Sequence, residues 1–170
     1  MSSSRSTRRA LLAGAAATVA AGVAGCLDRS TEGPADDEDD EPIVEVAEAT
    51  ASEGETDPEA WADVEEVRLE AYVGGWVGVE PDLIDRIENP TLVLVEGREY
   101  EITWENGDAV KHNLALHDGD GEVVGEYATG VVEDLGATET LEFVARPEIE
   151  TYICEHQPAI QYGAVDVVDG

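Results

Sequence analysis

Apolar side chains between residues 61 and 170 fall in short runs of period two, and turn residues separate the runs. Tyr100, Ile102 and Trp104 alternate with Glu99, Glu101 and Glu105, which places one face of a strand in a core and the other in water. Val67, Leu69 and Ala71 alternate with Arg68 and Glu70 in the same way. Further strand-like runs lie at 92–95, at Leu114 and Leu116, at 123–127, at Leu141 and Phe143, at 152–154 and at 164–168. Turn residues fall between them, at Glu96-Gly97, Asn106-Gly107-Asp108, Asp118-Gly119-Asp120-Gly121 and Leu135-Gly136. Only 81–88 leaves room for a short helix. About eight strands in roughly 110 residues predict an all-β, antiparallel sandwich or small barrel around one core.

The 60 residues before this domain have a different character. Arg8-Arg9 precedes an apolar, Ala-rich run from Ala10 to Ala24, the length of a signal-peptide core and short for a membrane span. The arginine pair and the mild hydrophobicity fit a twin-arginine export signal. Val23-Ala24-Gly25-Cys26 resembles a lipoprotein cleavage site, so residues 1–25 are expected to be removed and Cys26 lipidated. Residues 26–60, acidic and punctuated by Pro and Gly, are expected to form a disordered tether. The resulting location is the outer face of the cell membrane. Cleavage would also remove Met1, the one methionine of the chain.

The chain has 40 acidic residues against 9 Lys and Arg, a net charge of -31. Such a surface repels phosphate, which argues against nucleic acid as a partner. The acids are interleaved with apolar alternation, so they belong to the surface of a folded domain. That surface suits concentrated salt, where screening acts within about 3 Å at 1 M. A halophilic setting is expected, with a merely acidic protein as the alternative.

With Cys26 lipidated, Cys154 is the remaining thiol. It has four possible uses: metal ligand, reactive group, dimer link or buried filler. Its surroundings favour the first. Tyr152-Ile153-Cys154 reads as a strand end, Glu155-His156-Gln157-Pro158 as a tight loop, and Gly163-Ala164-Val165 as the return strand. One loop can then offer a thiolate and an imidazole, with His112 as a second imidazole from a neighbouring strand. Two imidazoles, one thiolate and a weak axial donor make a blue-copper electron-transfer site. His117 stands five residues from His112, on the opposite face of an extended strand, and reads as a surface imidazole.

These segments resemble the plastocyanin-like cupredoxins, most closely the halocyanin-type blue copper proteins of salt-loving archaea. The stretch from Trp104 to Asn113 is similar to that family's strand, loop and first His-Asn ligand pair. Gly75-Trp76-Val77-Gly78, Pro81 and Asn89-Pro90-Thr91 resemble its upstream motif, and Tyr152-Ile153-Cys154-Glu155 with Pro158 and Gly163 its closing loop. The resemblance implies a cupredoxin-like Greek-key sandwich holding one copper ion, with His112 and Cys154 as ligands. It also implies that Asn113 hydrogen-bonds across to the Cys loop. The pattern departs from the family where Glu155 alone separates Cys154 from His156. Gln157 occupies the place of the family's second His, and Gln161 that of its Met. The expected ligand set is therefore His112, Cys154, His156 and an axial Gln161.

The function expected is that of a one-electron carrier serving redox partner proteins of a membrane electron-transport chain. The protein is expected to be a monomer anchored by its lipid. Two alternatives are a copper-binding or copper-delivery module that does not cycle, and a metal-free interaction domain. An enzyme is not expected, because three histidines are too few for a multicopper oxidase centre.

Overall fold

The computed structural model describes residues 48–170. The expected signal segment, Cys26 and the tether up to residue 47 lie outside the described residues. Among the described residues the chain forms nine strands. They are β1 (Glu66–Tyr72), β2 (Gly75–Glu80), β3 (Leu92–Val95), β4 (Glu99–Asn106), β5 (Ala115–His117), β6 (Val123–Ala128), β7 (Thr138–Val144), β8 (Thr151–Ile153) and β9 (Tyr162–Val168). A 3₁₀ turn, Asp82–Ile84, occupies the stretch expected to allow a short helix.

The strands form two sheets, one in the order β2-β1-β4-β7 and the other in the order β3-β9-β8-β5-β6. This is the all-β sandwich expected from the period-two runs. Each sheet contains one parallel pairing, β1 with β4 and β3 with β9, beside antiparallel ones. Parallel neighbours arise because the chain changes sheets between them: β3 lies in the second sheet and β4 returns to the first.

The alternation read in the sequence is the alternation observed. Tyr100, Ile102 and Trp104 are 3%, 1% and 0% exposed, and they meet Val67, Leu69 and Ala71 of β1 and Leu141 and Phe143 of β7 in one core. The facing sheet contributes Leu92, Leu94, Leu116, Tyr152 and Val165. Each large apolar side chain buried in this way stabilises the fold by about 1.5–3 kcal/mol. Trp76 packs edge-on to Trp104, with ring centroids 5.7 Å apart, and tilts against Tyr152 at 6.2 Å.

β2 has no counterpart among the expected strands. Its first four residues are all buried, so period two is absent, and its two glycines disfavour a strand by propensity. Gly78 is required by packing, since a Cβ there would overlap the Ile84 carbonyl.

Residues 48–60, assigned to the tether on composition, lie against the domain. Ala49 is fully buried. The Thr50 N–H donates to the Arg86 carbonyl at 2.8 Å, and the Glu88 N–H donates to the Ala51 carbonyl at 2.8 Å. Backbone pairing of this kind needs no apolar side-chain pattern, so composition cannot register it.

Candidate metal centre

Two loops at one end of the sandwich build the site. The first follows β4. The Asn106 side chain is buried at the strand end, and its Oδ1 accepts the N–H groups of Asp108 and Ala109 at 3.2 and 3.1 Å. Its Nδ2 donates to the Val110 carbonyl at 2.8 Å. This Asx-type turn carries Ala109 through the left-handed region at φ 58°. His112 follows, pinned by reciprocal backbone bonds with Val132, both 2.9 Å.

The second loop joins β8 to β9. The Cys154 N–H donates to the Gln161 carbonyl at 2.9 Å, which closes the loop at its base. Within it, the Gln157 N–H donates to the Cys154 carbonyl at 3.0 Å and the Gln161 N–H to the Gln157 carbonyl at 2.9 Å. Cys154 and Gln161 are both fully buried. Asn113 ties the loops together: its Oδ1 accepts the Glu155 N–H at 3.0 Å and its Nδ2 donates to Glu155 Oε2 at 2.6 Å.

The fully buried imidazole of His112 is where the two loops meet. Its Nδ1 is 3.8 Å from Cys154 Sγ, 2.8 Å from Gln161 Oε1 and 3.4 Å from Gln157 Nε2. Its Nε2 lies 3.0 Å from Asp108 Oδ1. The edge of Trp104 flanks the ring, with centroids 6.5 Å apart.

The electrostatics favour the charged forms of both groups. Burial disfavours a charged His112, yet contacts with Cys154, Asp108 and Gln161 prevail and hold its pKa above the ordinary 6.5. Burial likewise disfavours a Cys154 thiolate. The His112 ring and the backbone N–H groups of Asn113, His156 and Gln157 prevail, and the thiol is held below its ordinary 9.0.

The separation of the imidazole and the sulfur would let one ion touch both. A first-row metal bonds imidazole nitrogen at about 2.0 Å and thiolate at about 2.3 Å, so donors up to about 4.3 Å apart can touch the same ion. The separation of 3.8 Å between Nδ1 and Sγ lies within that reach. Gln161 Nε2 is buried with no hydrogen-bond partner among the described residues, so its amide is not satisfied by protein alone. Among the described residues, no group of three or more His, Cys, Asp and Glu side chains is gathered. The further polar side chains close to Nδ1 are the amides of Gln161 and Gln157.

The structure brings His112, Cys154 and Gln161 together. The side chain of His156 is exposed, and what this residue brings to the sulfur is its backbone N–H. Gln157, not among the expected ligands, turns its amide toward Nδ1 and also accepts the Gly74 N–H at 3.4 Å. Its place in the closing loop, where the resembled family has its second His, was the available signal. Asp108 was visible only as a turn residue. His117 sits in β5, outside this group.

No protein-family model matches the chain, and no curated protein matches it. Solved structures similar to it include rusticyanin from Thiobacillus ferrooxidans, 16% identical with a TM-score of 0.41, over 61% of this chain and 76% of that one. A purple cupredoxin from Nitrosopumilus maritimus is 21% identical with a TM-score of 0.39, over 61% and 99%. Auracyanin B is 16% identical with a TM-score of 0.44, over 61% and 88%. At such identities and scores, function has to be argued from the chain's own residues.

Proposed function

We propose that this chain is a copper-binding one-electron carrier, tethered by a lipid on Cys26 at the outer face of a cell membrane and serving redox proteins there as a monomer. The observation that carries the reading is the buried pairing of Cys154 Sγ with His112 Nδ1 at 3.8 Å.

His112 and Cys154 would be the strong ligands, with the Gln161 amide oxygen as an axial donor. Turning the Gln157 amide would add a second oxygen, because its present bond to Gly74 is long. Bound copper supplies a centre that passes between Cu(I) and Cu(II). The protein's task is to keep the donors still while the charge changes. Asn113 does this by joining the two ligand loops through Glu155. Burial of the sulfur excludes water and other thiols from it. An amide oxygen is harder than a thioether, so Gln161 favours Cu(II) and a lower potential. The acidic exterior supports the choice of a high-salt setting and of partners other than nucleic acid, and the N-terminal signal and Cys26 support that of the cell surface.

Two observations favour a second reading, a copper-holding module that does not cycle. Gln157 stands where a second imidazole would balance the two oxidation states, and the His156 side chain is exposed. Loading the purified protein with Cu(II) separates the readings. The carrier predicts one copper per chain, an intense thiolate-to-copper absorption in the red that Cys154→Ser abolishes, and a reversible couple. Bound copper without a reversible couple supports the second reading, and absence of stoichiometric copper refutes both.

A further inference from the structure

We propose that Asp108 is a positioning residue for the metal site: it keeps the proton of neutral His112 on Nε2, so that the Nδ1 lone pair faces Cys154, and it strengthens that nitrogen as a donor. This rests on the copper reading for its consequence, though not for its geometry.

The two faces of the ring differ in how far they dictate its proton. On the Nδ1 side stand an amide oxygen, Gln161 Oε1 at 2.8 Å, and an amide nitrogen, Gln157 Nε2 at 3.4 Å. The closer of the two, the Gln161 oxygen, can only accept and so draws a proton toward Nδ1, but it is a neutral acceptor and weaker than a carboxylate. On the Nε2 side stands a carboxylate at 3.0 Å, which when ionised can only accept. It therefore selects Nε2–H.

The carboxylate is itself held in place. Asp108 Oδ1 also accepts the Val110 N–H at 3.1 Å, and Oδ2 accepts the Val73 N–H from the turn between β1 and β2. Asn106 fixes the backbone at Asp108 and at the following left-handed Ala109. A non-glycine residue in that region is uncommon and carries a conformational cost, here attached to the turn that aims Asp108 at the ring. A carboxylate on the far nitrogen of a ligating imidazole raises its basicity, which favours the more highly charged oxidation state of a bound metal.

The tautomer is read on the metal-free, ¹⁵N-labelled protein from two-bond ring correlations of His112, at a pH where the ring is neutral. The native protein should show protonated Nε2 and bare Nδ1. Asp108→Ala should move the proton largely to Nδ1, where Gln161 accepts it, and an unchanged tautomer would overturn the proposal. With copper bound, the near-isosteric Asp108→Asn should shift the Cu(I)/Cu(II) affinity ratio at least tenfold toward Cu(I), about 59 mV for one electron. Glu155→Gln removes the same charge beside Cys154 without touching the ring and should shift the ratio less; equal shifts would also overturn the proposal. If the native protein binds no copper, the carrier reading fails and the ring correlations alone decide the role of Asp108.

Discussion

Asn113 grips Glu155 twice, accepting its backbone N–H at 3.0 Å and donating to its carboxylate at 2.6 Å. These two bonds connect the loop after β4 to the loop after β8, one carrying His112 and the other following Cys154. Asn113 is buried, and one of its bonds is charge-assisted. Asn113→Ala should therefore cost about 1–3 kcal/mol of unfolding free energy and weaken copper binding as well. Urea unfolding of the metal-free protein checks the first effect. A loss below about 0.5 kcal/mol would mean that the loops are held by something else.

Acidity should compete with metal at His112. Its folded pKa is raised, because hydrogen bonds to Cys154, Asp108 and Gln161 outweigh the opposing effect of burial. The protonated ring therefore contributes stability that is fully present below the ordinary 6.5 and is lost as pH rises through the higher folded value. Cys154 behaves in the opposite sense: its depressed pKa contributes stability present above 9.0 and lost as pH falls through the lower folded value. A metal must displace the proton on Nδ1 and, where Cys154 is still a thiol, the proton on Sγ, so apparent copper affinity should rise by about ten- to a hundredfold per pH unit until both groups have titrated. That rise should continue above pH 6.5, and competition with a chelator across pH 5–9 measures it. A plateau reached below 6.5 would contradict the raised value.

How much could be read beforehand follows the kind of interaction involved. β4 was legible because Tyr100, Ile102 and Trp104 alternate with glutamates, and burial on one face requires that alternation. β2 was not, since four buried residues in a row with two glycines carry no period. The meeting of His112 with Cys154 was legible because Cys154 stands at a strand end before a tight loop, and because the His112-Asn113 and Cys154 segments resemble the ligand segments of the cupredoxins. The orientations of His156 and Gln157 were not. They depend on the turn closed by the Gln157 N–H on the Cys154 carbonyl, which spacing along the chain does not specify. Asp108 was hidden for a similar reason: Asn-Gly-Asp reads as a turn whether its carboxylate caps backbone or reaches an imidazole.

Gln161 has a buried amide nitrogen without a hydrogen-bond partner. An unpaired buried polar group costs about 1–3 kcal/mol, and methionine is close to glutamine in size and flexibility while carrying no N–H. Gln161→Met should therefore leave the metal-free protein as stable as the native one or more stable by about 1 kcal/mol, despite losing the contact to His112. The same change exchanges a hard oxygen for a soft thioether and should raise the reduction potential of the copper form. Thermal melting and voltammetry read the two effects separately. A large loss of stability would show that the His112–Gln161 bond outweighs the unpaired nitrogen.

The two neighbours in the closing loop should respond in opposite ways. His156 exposes its side chain and contributes a backbone N–H to the sulfur, so His156→Ala keeps that N–H and should change copper affinity less than threefold. Gln157 turns its side chain toward His112 Nδ1 at 3.4 Å. Gln157→His would put a second imidazole within reach of the thiolate, raising Cu(II) affinity by at least tenfold and strengthening the red absorption band. Isothermal titration and visible spectra of the two variants decide the matter. If His156→Ala lost copper and Gln157→His did not gain it, the loop would have to reorganise on metal binding to bring His156 inward, and Gln157 would have no place in the donor set.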